Sequence, residues 1–214
     1  MTSVKKDIVK AGNEIYQEGL VAGTWGNISI RLENDENRFA ITPSGMDYSE
    51  IDEEDIVIMD LDGEKVEGER KPSSEFRLHR HVYESRKDVD AIVHTHSVFA
   101  SAVACARKSI PPLVEDMVQI VGGSVDTSEY RLPASDDLAE AAVEALGDKN
   151  GALLANHGVL AVGKDIDEAI KTSQIIEKSA KIFLFGKLIG GPTELSEEDV
   201  KTMRRMYTED YGQD

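Results

Sequence analysis

The chain has 214 residues, 40% of them hydrophobic and 30% charged, which is ordinary globular usage and excludes collagen-like, low-complexity and membrane-bundle classes. Asp and Glu number 41 against 24 Lys and Arg, a net charge of −17. That balance argues against a DNA- or RNA-binding surface, because phosphate backbones reward a basic face.

The excess acid reads as a solubility device, and a local basic pocket for a phosphorylated metabolite stays compatible with it. The length suits one domain over residues 1–214 that needs no disulfide merely to fold. No apolar run reaches the roughly 18 residues that span a bilayer. The N-terminus has a basic start without an apolar core, so no secretory leader is expected. A lone cysteine, Cys105, permits no intrachain disulfide and fits a reducing cytoplasm.

Apolar positions at Val4, Ile8, Ala11 and Ile15 predict a helix over 4–20, closed by Gly19 and Gly23. Residues 27–32 alternate as a strand, and the polar stretch 33–37 turns into a second strand over 38–42. Thr42-Pro43-Ser44-Gly45 is a turn, 55–61 a strand, and 61–64 another turn. Ser73 or Ser74 caps a helix over 75–86, followed by a strand over 89–95. Residues 97–107 are small and apolar, a buried helix in which Cys105 is expected as core filler. Residues 108–134 read as irregular. Ser135 caps a helix over 136–146 that Gly147 stops. Short buried strands follow at 152–155 and 159–162, then a long helix from Asp165 to about 185 and a last helix capped by Ser196. Hairpin signals between terminal helices indicate a layered α/β domain rather than an all-parallel sheet. Neither a dinucleotide fingerprint nor a phosphate-binding P-loop is present, so a nucleotide cofactor has no support.

Five histidines occur. His94 and His96 stand two apart at the end of a strand, so both rings leave the same face. His157 sits where a buried strand meets a turn, next to Gly158. If that turn packs beside the first strand, three imidazoles meet and leave a coordination position open, as in a catalytic rather than a structural zinc site. The spacing alone also fits two core or surface histidines. His79 and His81 lie two apart on a helix and share no face, which suggests one partly buried and one exposed structural residue. Lys71-Pro72-Ser73-Ser74-Glu75 places two serines, a glutamate and free N–H groups at a helix start, a place suited to an anion and equally to an ordinary acidic cap. Thr24–Asn27, Thr42–Gly45 and Gly122-Gly123 are, singly, only turns.

The set in order is more specific. Thr-x-Gly-Asn-x-Ser-x-Arg (Thr24–Arg31), Thr-Pro-Ser-Gly-x-x-Tyr (Thr42–Tyr48), Ser-Ser-Glu-x-x-x-His (Ser73–His79), His-x-His-Ser (His94–Ser97) and Asn-His-Gly (Asn156–Gly158) resemble the class II aldolase and adducin-head family over about residues 5–185. Its L-fuculose-1-phosphate-cleaving members are the nearest in motif. The resemblance implies a three-layer α/β/α domain with a central, largely antiparallel sheet, in a homotetramer with active sites at subunit boundaries. It implies His94, His96 and His157 as ligands of one Zn2+, with Mn2+, Co2+ or Fe2+ as other occupants. It implies Glu75 as the acid/base, and Asn27, Ser44, Gly45, Ser73 and Ser74 as the phosphate cradle.

The expected reaction is cleavage of a ketose 1-phosphate, L-fuculose 1-phosphate or a similar sugar, to dihydroxyacetone phosphate and a small aldehyde such as lactaldehyde. In the fuculose-type members, a neighbouring subunit offers a tyrosine after a Ser-Ile-Pro segment to protonate the aldehyde oxygen. Here Ser109-Ile110-Pro111 is followed by Glu115 at that place, so Glu115 is expected as the acid, or else as a solvated interface carboxylate. Tyr207 or Tyr211 matches a C-terminal tyrosine of the same members. Competing branches are a 5-deoxyribulose-1-phosphate aldolase, the methylthioribulose-1-phosphate dehydratase, which has a glutamate like Glu115, and the ribulose-5-phosphate 4-epimerases. No histidine between His96 and His157 supplies the epimerases' extra one. A metal-free interaction module is disfavoured by the three histidines and Glu75.

Overall fold

The computed structural model describes residues 2–210. Among them lie α1 (Thr2–Gln17), β1 (Asn27–Leu32), β2 (Asp35–Ile41), β3 (Val57–Asp60), β4 (Lys65–Glu67), α2 (Phe76–Ser85), β5 (Ala91–Thr95) and α3 (Val98–Cys105). The chain continues through α4 (Glu115–Val121), β6 (Asp126–Thr127), α5 (Asp136–Leu146), β7 (Gly151–Leu154), β8 (Gly158–Gly163), α6 (Ile166–Leu188) and α7 (Glu197–Asp210).

The strands form one eight-stranded sheet in the order β4-β3-β2-β1-β5-β8-β7-β6. Every pairing is antiparallel except β6 with β7. Alternation sends successive side chains to opposite faces. Ile28, Ala40, Ile58 and Val93 pack toward α1 and α6. Phe39, Ile41, Val57, Met59 and Ile92 pack toward α2 and α5. A third apolar cluster joins α3, α4 and α6 to β7 and β8. Helices therefore cover both faces of a largely antiparallel sheet, the expected α/β/α layering. Each wholly buried Ile or Phe contributes about 1.5–3 kcal/mol. Among the described residues no helix is long and apolar enough to cross a membrane.

Three local expectations change. The stretch read as irregular contains α4, whose buried Met117, Val118, Ile120 and Val121 do follow helical spacing but over only seven residues, less than the window that makes such a period stand out. Cys105 ends α3 on the surface rather than in the core, because the helix stops there. His79 is wholly buried, and His81 is half-buried beside Asp136.

Candidate metal and substrate site

His94 shares the α2-facing side of β5 with Ile92. Its Nδ1 donates to the carbonyl of Val159 on β8 at 2.8 Å, which turns Nε2 away from the sheet. His96 lies just beyond β5, and its backbone N–H is held by the carbonyl of Leu20 at 3.2 Å. Trp25 stands beside its ring, 5.7 Å between centroids.

His157 comes from the tight turn between β7 and β8. Asn156 adopts a left-handed conformation (φ 55°) there, and the His157 N–H closes the turn on the Leu154 carbonyl at 3.0 Å. A Cβ at Gly158 would stand 2.2 Å from the Thr95 carbonyl oxygen and 3.3 Å from Cε1 of His94. Only glycine lets this turn lie against the end of β5, and that contact brings the third imidazole to the first two. The ring centroids are 4.8–4.9 Å apart, all edge to face.

Glu75 occupies the N-cap position of α2, one residue earlier than expected. It makes no cap of its own, because its carboxylate turns toward the histidines while Ser73 Oγ accepts the Glu75 N–H at 3.3 Å. Glu75 Oε2 lies 3.2 Å from His94 Nε2, and Oε1 lies 3.2 Å from His157 Nε2. One ligand atom from each of Glu75, His94, His96 and His157 falls within 4.8 Å of the others.

The electrostatics suit a cation. Burial, then His94 and His157, push the His96 ring down to about 3, and burial and His94 push His157 down to about 4. Both are thus neutral, the ligating form. Burial pulls His94 down too, but the Glu75 carboxylate outweighs it and holds this ring above its ordinary value. Burial raises the Glu75 carboxyl, but His94, His157 and Asn27 together hold it well below the ordinary range. His94 Nε2 lies 3.0 Å from His96 Nε2. Glu75 Oε1 is buried without a hydrogen bond. An orphaned carboxylate oxygen beside three imidazole nitrogens is a donor set that a divalent ion satisfies.

Glu75, His96 and His157 line a cavity of about 630 Å3, and His94 is wholly buried beside them. Ser44, Gly45, Ser73, Ser74 and Asn27 line the same cavity. The two loops that carry the serines are laced by Ser44 N–H to Lys71 carbonyl (2.9 Å) and Ser73 N–H to Thr42 carbonyl (3.0 Å). At the bend between β1 and the preceding loop, Gly26 (φ 94°) admits the close approach of the His94 carbonyl; a Cβ there would lie 2.7 Å from it.

A family model described as the class II aldolase and adducin N-terminal domain matches residues 6–184. The chain belongs to this family. A 5-deoxy-D-ribulose 1-phosphate aldolase from Bacillus thuringiensis serovar kurstaki is 39% identical over 209 residues, 98% of this chain and 97% of that one. An L-fuculose phosphate aldolase from Escherichia coli is 32% identical over 196 residues, 91% and 89% of the two chains. A solved L-fuculose 1-phosphate aldolase superposes with a TM-score of 0.92 at 37% identity, covering 97% of each chain. By family and by relatives, this class II aldolase is a lyase.

Within this aldolase the expected metal ligands, Glu75 and the cradle residues gather at one cavity. Glu115 does not join them: it starts α4, exposed, and does not line the cavity of its own chain. Tyr207 on α7 also lies outside that cavity, and Tyr211 falls outside the described residues. Sequence reasoning assigned no role to Tyr130, Arg131 and Asn156, which line the cavity. Arg107 supports two of them, donating to Asn156 Oδ1 at 2.8 Å and lying 5.5 Å over the Tyr130 ring. The Asn-His-Gly motif pointed to Asn156; nothing periodic marks Tyr130 or Arg131.

Proposed function

We propose that this chain, acting as one catalytic domain, is a zinc-dependent aldolase that cleaves a ketose 1-phosphate to dihydroxyacetone phosphate and a short aldehyde. The observation that carries the reading is the convergence of Glu75 with His94, His96 and His157 beneath a serine-lined cradle. His94, His96 and His157 would hold the ion. Bound there, a divalent cation supplies Lewis-acid stabilisation of the negative charge that develops on the substrate oxygens during cleavage.

The chain's own residues do the rest. Ser44, Gly45, Ser73, Ser74 and Asn27 hold the phosphate, so binding energy far from the reacting bond orients that bond. Removal of the C4 hydroxyl proton lets the C3–C4 bond break, its electron pair passing toward C2. Glu75, ionised at rest, takes up a proton from solvent and passes it to C3, which balances the one removed from the C4 hydroxyl. Glu115 of a neighbouring subunit is assigned the C4 hydroxyl proton, in a homotetramer whose sites lie at subunit boundaries. A reducing cytoplasm suits the lone thiol.

5-Deoxyribulose 1-phosphate is the favoured substrate, supported by the 39% identity to the Bacillus enzyme over nearly the full length of both chains. L-Fuculose 1-phosphate is the second, supported by the likeness to the solved fuculose enzyme. A panel of ketose 1-phosphates, assayed for dihydroxyacetone phosphate release and for dehydration, tests the reading. Dehydration without cleavage would replace aldolase by dehydratase.

A further inference from the structure

Strand β1 alternates Asn27, Ser29 and Arg31 with Ile28 and Ile30, and its polar side is buried. Asn27, Ser29 and Arg31 are 3%, 0% and 6% exposed. α2 faces them with His79 and Tyr83, both 0% exposed. A continuous line of hydrogen bonds results. Tyr83 Oη lies 2.7 Å from Ser29 Oγ, and Ser29 Oγ lies 2.6 Å from His79 Nδ1. His79 Nε2 lies 2.5 Å from Asn27 Oδ1, and Asn27 Nδ2 donates to Glu75 Oε2 at 2.9 Å.

The direction of the line is fixed at its Glu75 end. An ionised carboxylate only accepts. Asn27 must therefore turn its NH2 to Glu75 and its carbonyl to His79. His79 must then donate from Nε2, which leaves Nδ1 to accept the Ser29 hydroxyl proton and Ser29 Oγ to accept that of Tyr83. Burial pushes the His79 ring down to about 3, so it is neutral and carries a single proton. Four groups behind Glu75 thus point their donors one way, toward it.

We infer that His79 is a positioning residue for Glu75: its Nε2–H holds the Asn27 amide in the one orientation that offers the carboxylate a donor. Without that lock the amide can turn over and set its oxygen against the carboxylate, which then loses its fixed direction. Asn27 Nδ2 has a second proton for the cavity, so one orientation serves both sides. The kinetic part of this inference rests on Glu75 acting in the aldol step; the tautomer part does not.

The test uses the full chain with histidines labelled with nitrogen-15, His79 being assigned by the signal lost in His79→Gln. The expected result is an Nε2–H tautomer with Nδ1 as a hydrogen-bond acceptor. An Nδ1–H tautomer would overturn the inference. This readout needs no turnover, so it decides even if the aldolase reading fails or His79→Phe does not fold. In folded, metal-loaded His79→Phe, kcat is expected to fall at least about tenfold with KM changed less than about threefold, and His79→Gln, which keeps an N–H donor, to recover most of the loss. A merely structural His79 would lower the melting temperature of both variants and leave kcat per loaded site within about twofold of the parent, which would sink the proposal. So would metal loss in step with kcat.

Discussion

The Nδ1 of His94 donates to the carbonyl oxygen of Val159 across 2.8 Å, joining β5 to β8. That bond selects the tautomer and aims Nε2 at His96 and Glu75. A backbone carbonyl behind a ring nitrogen is the common support of a metal-ligating imidazole. The purified protein is expected to carry about one divalent ion per chain, counted by mass spectrometry of the elements, with zinc the main species. His94→Ala should lose it. Full turnover by protein stripped of its ions would take the metal out of the reaction.

Glu75→Gln preserves the volume of the side chain and removes its charge. The three imidazoles remain, so bound metal should stay near the parent level. Turnover should drop by about 10²–10⁴, the usual worth of a positioned acid/base. Comparable rates in parent and variant would strip Glu75 of its role.

Gly158→Ala separates the backbone from the chemistry. The new methyl would meet the Thr95 carbonyl oxygen at 2.2 Å, with backbone rather than a flexible side chain in the way. The β7–β8 turn must then lift off β5 and carry His157 with it. Destabilisation of about 1–3 kcal/mol is expected in urea unfolding, together with weaker metal retention. A variant that keeps both stability and metal would show that the turn can shift without cost.

The cluster of three histidines was legible in the sequence because each rests on local backbone logic. His94 and His96 share a face through the two-residue period of a strand, and His157 sits in a turn that Gly158 marks. Glu75 was legible as an acidic residue at a serine-rich helix start. The network behind it was not. Alternation along β1 reads as one core face and one solvated face, yet the polar side is roofed by α2. There Arg31 donates to the carbonyls of Tyr83 (3.0 Å), Arg86 (3.2 Å) and Val89 (3.1 Å), and its guanidinium lies 4.5 Å over the Tyr83 ring. No pattern within either element reveals that two polar faces pair with each other. For the same reason the two-residue spacing of His79 and His81 suggested an unremarkable pair, although His79 ends up in the network. α4 carries its apolar spacing over only seven residues, and Tyr130 and Arg131 lie in a stretch outside helices and strands, where no period marks them.

Glu115 lies exposed at the start of α4 and away from the cavity of its own chain. A role in proton transfer therefore needs a second copy to bring it there. Glu115→Ala should leave the melting temperature unchanged, since an exposed carboxylate supports no core, and should depress kcat. Sedimentation of the parent should give a tetramer. Chains of Glu75→Gln and Glu115→Ala, each impaired alone, should complement each other when mixed. A site regains both groups only when a Glu115→Ala chain supplies Glu75 and its neighbour is a Glu75→Gln chain. In a cyclic assembly mixed evenly at random, that holds for about one site in four. Activity near a quarter of the parent's after dissociation and reassembly is the expected outcome. A mixture no more active than the average of its two components would place Glu115 outside the reaction, and a monomer at assay concentration would remove the shared site altogether.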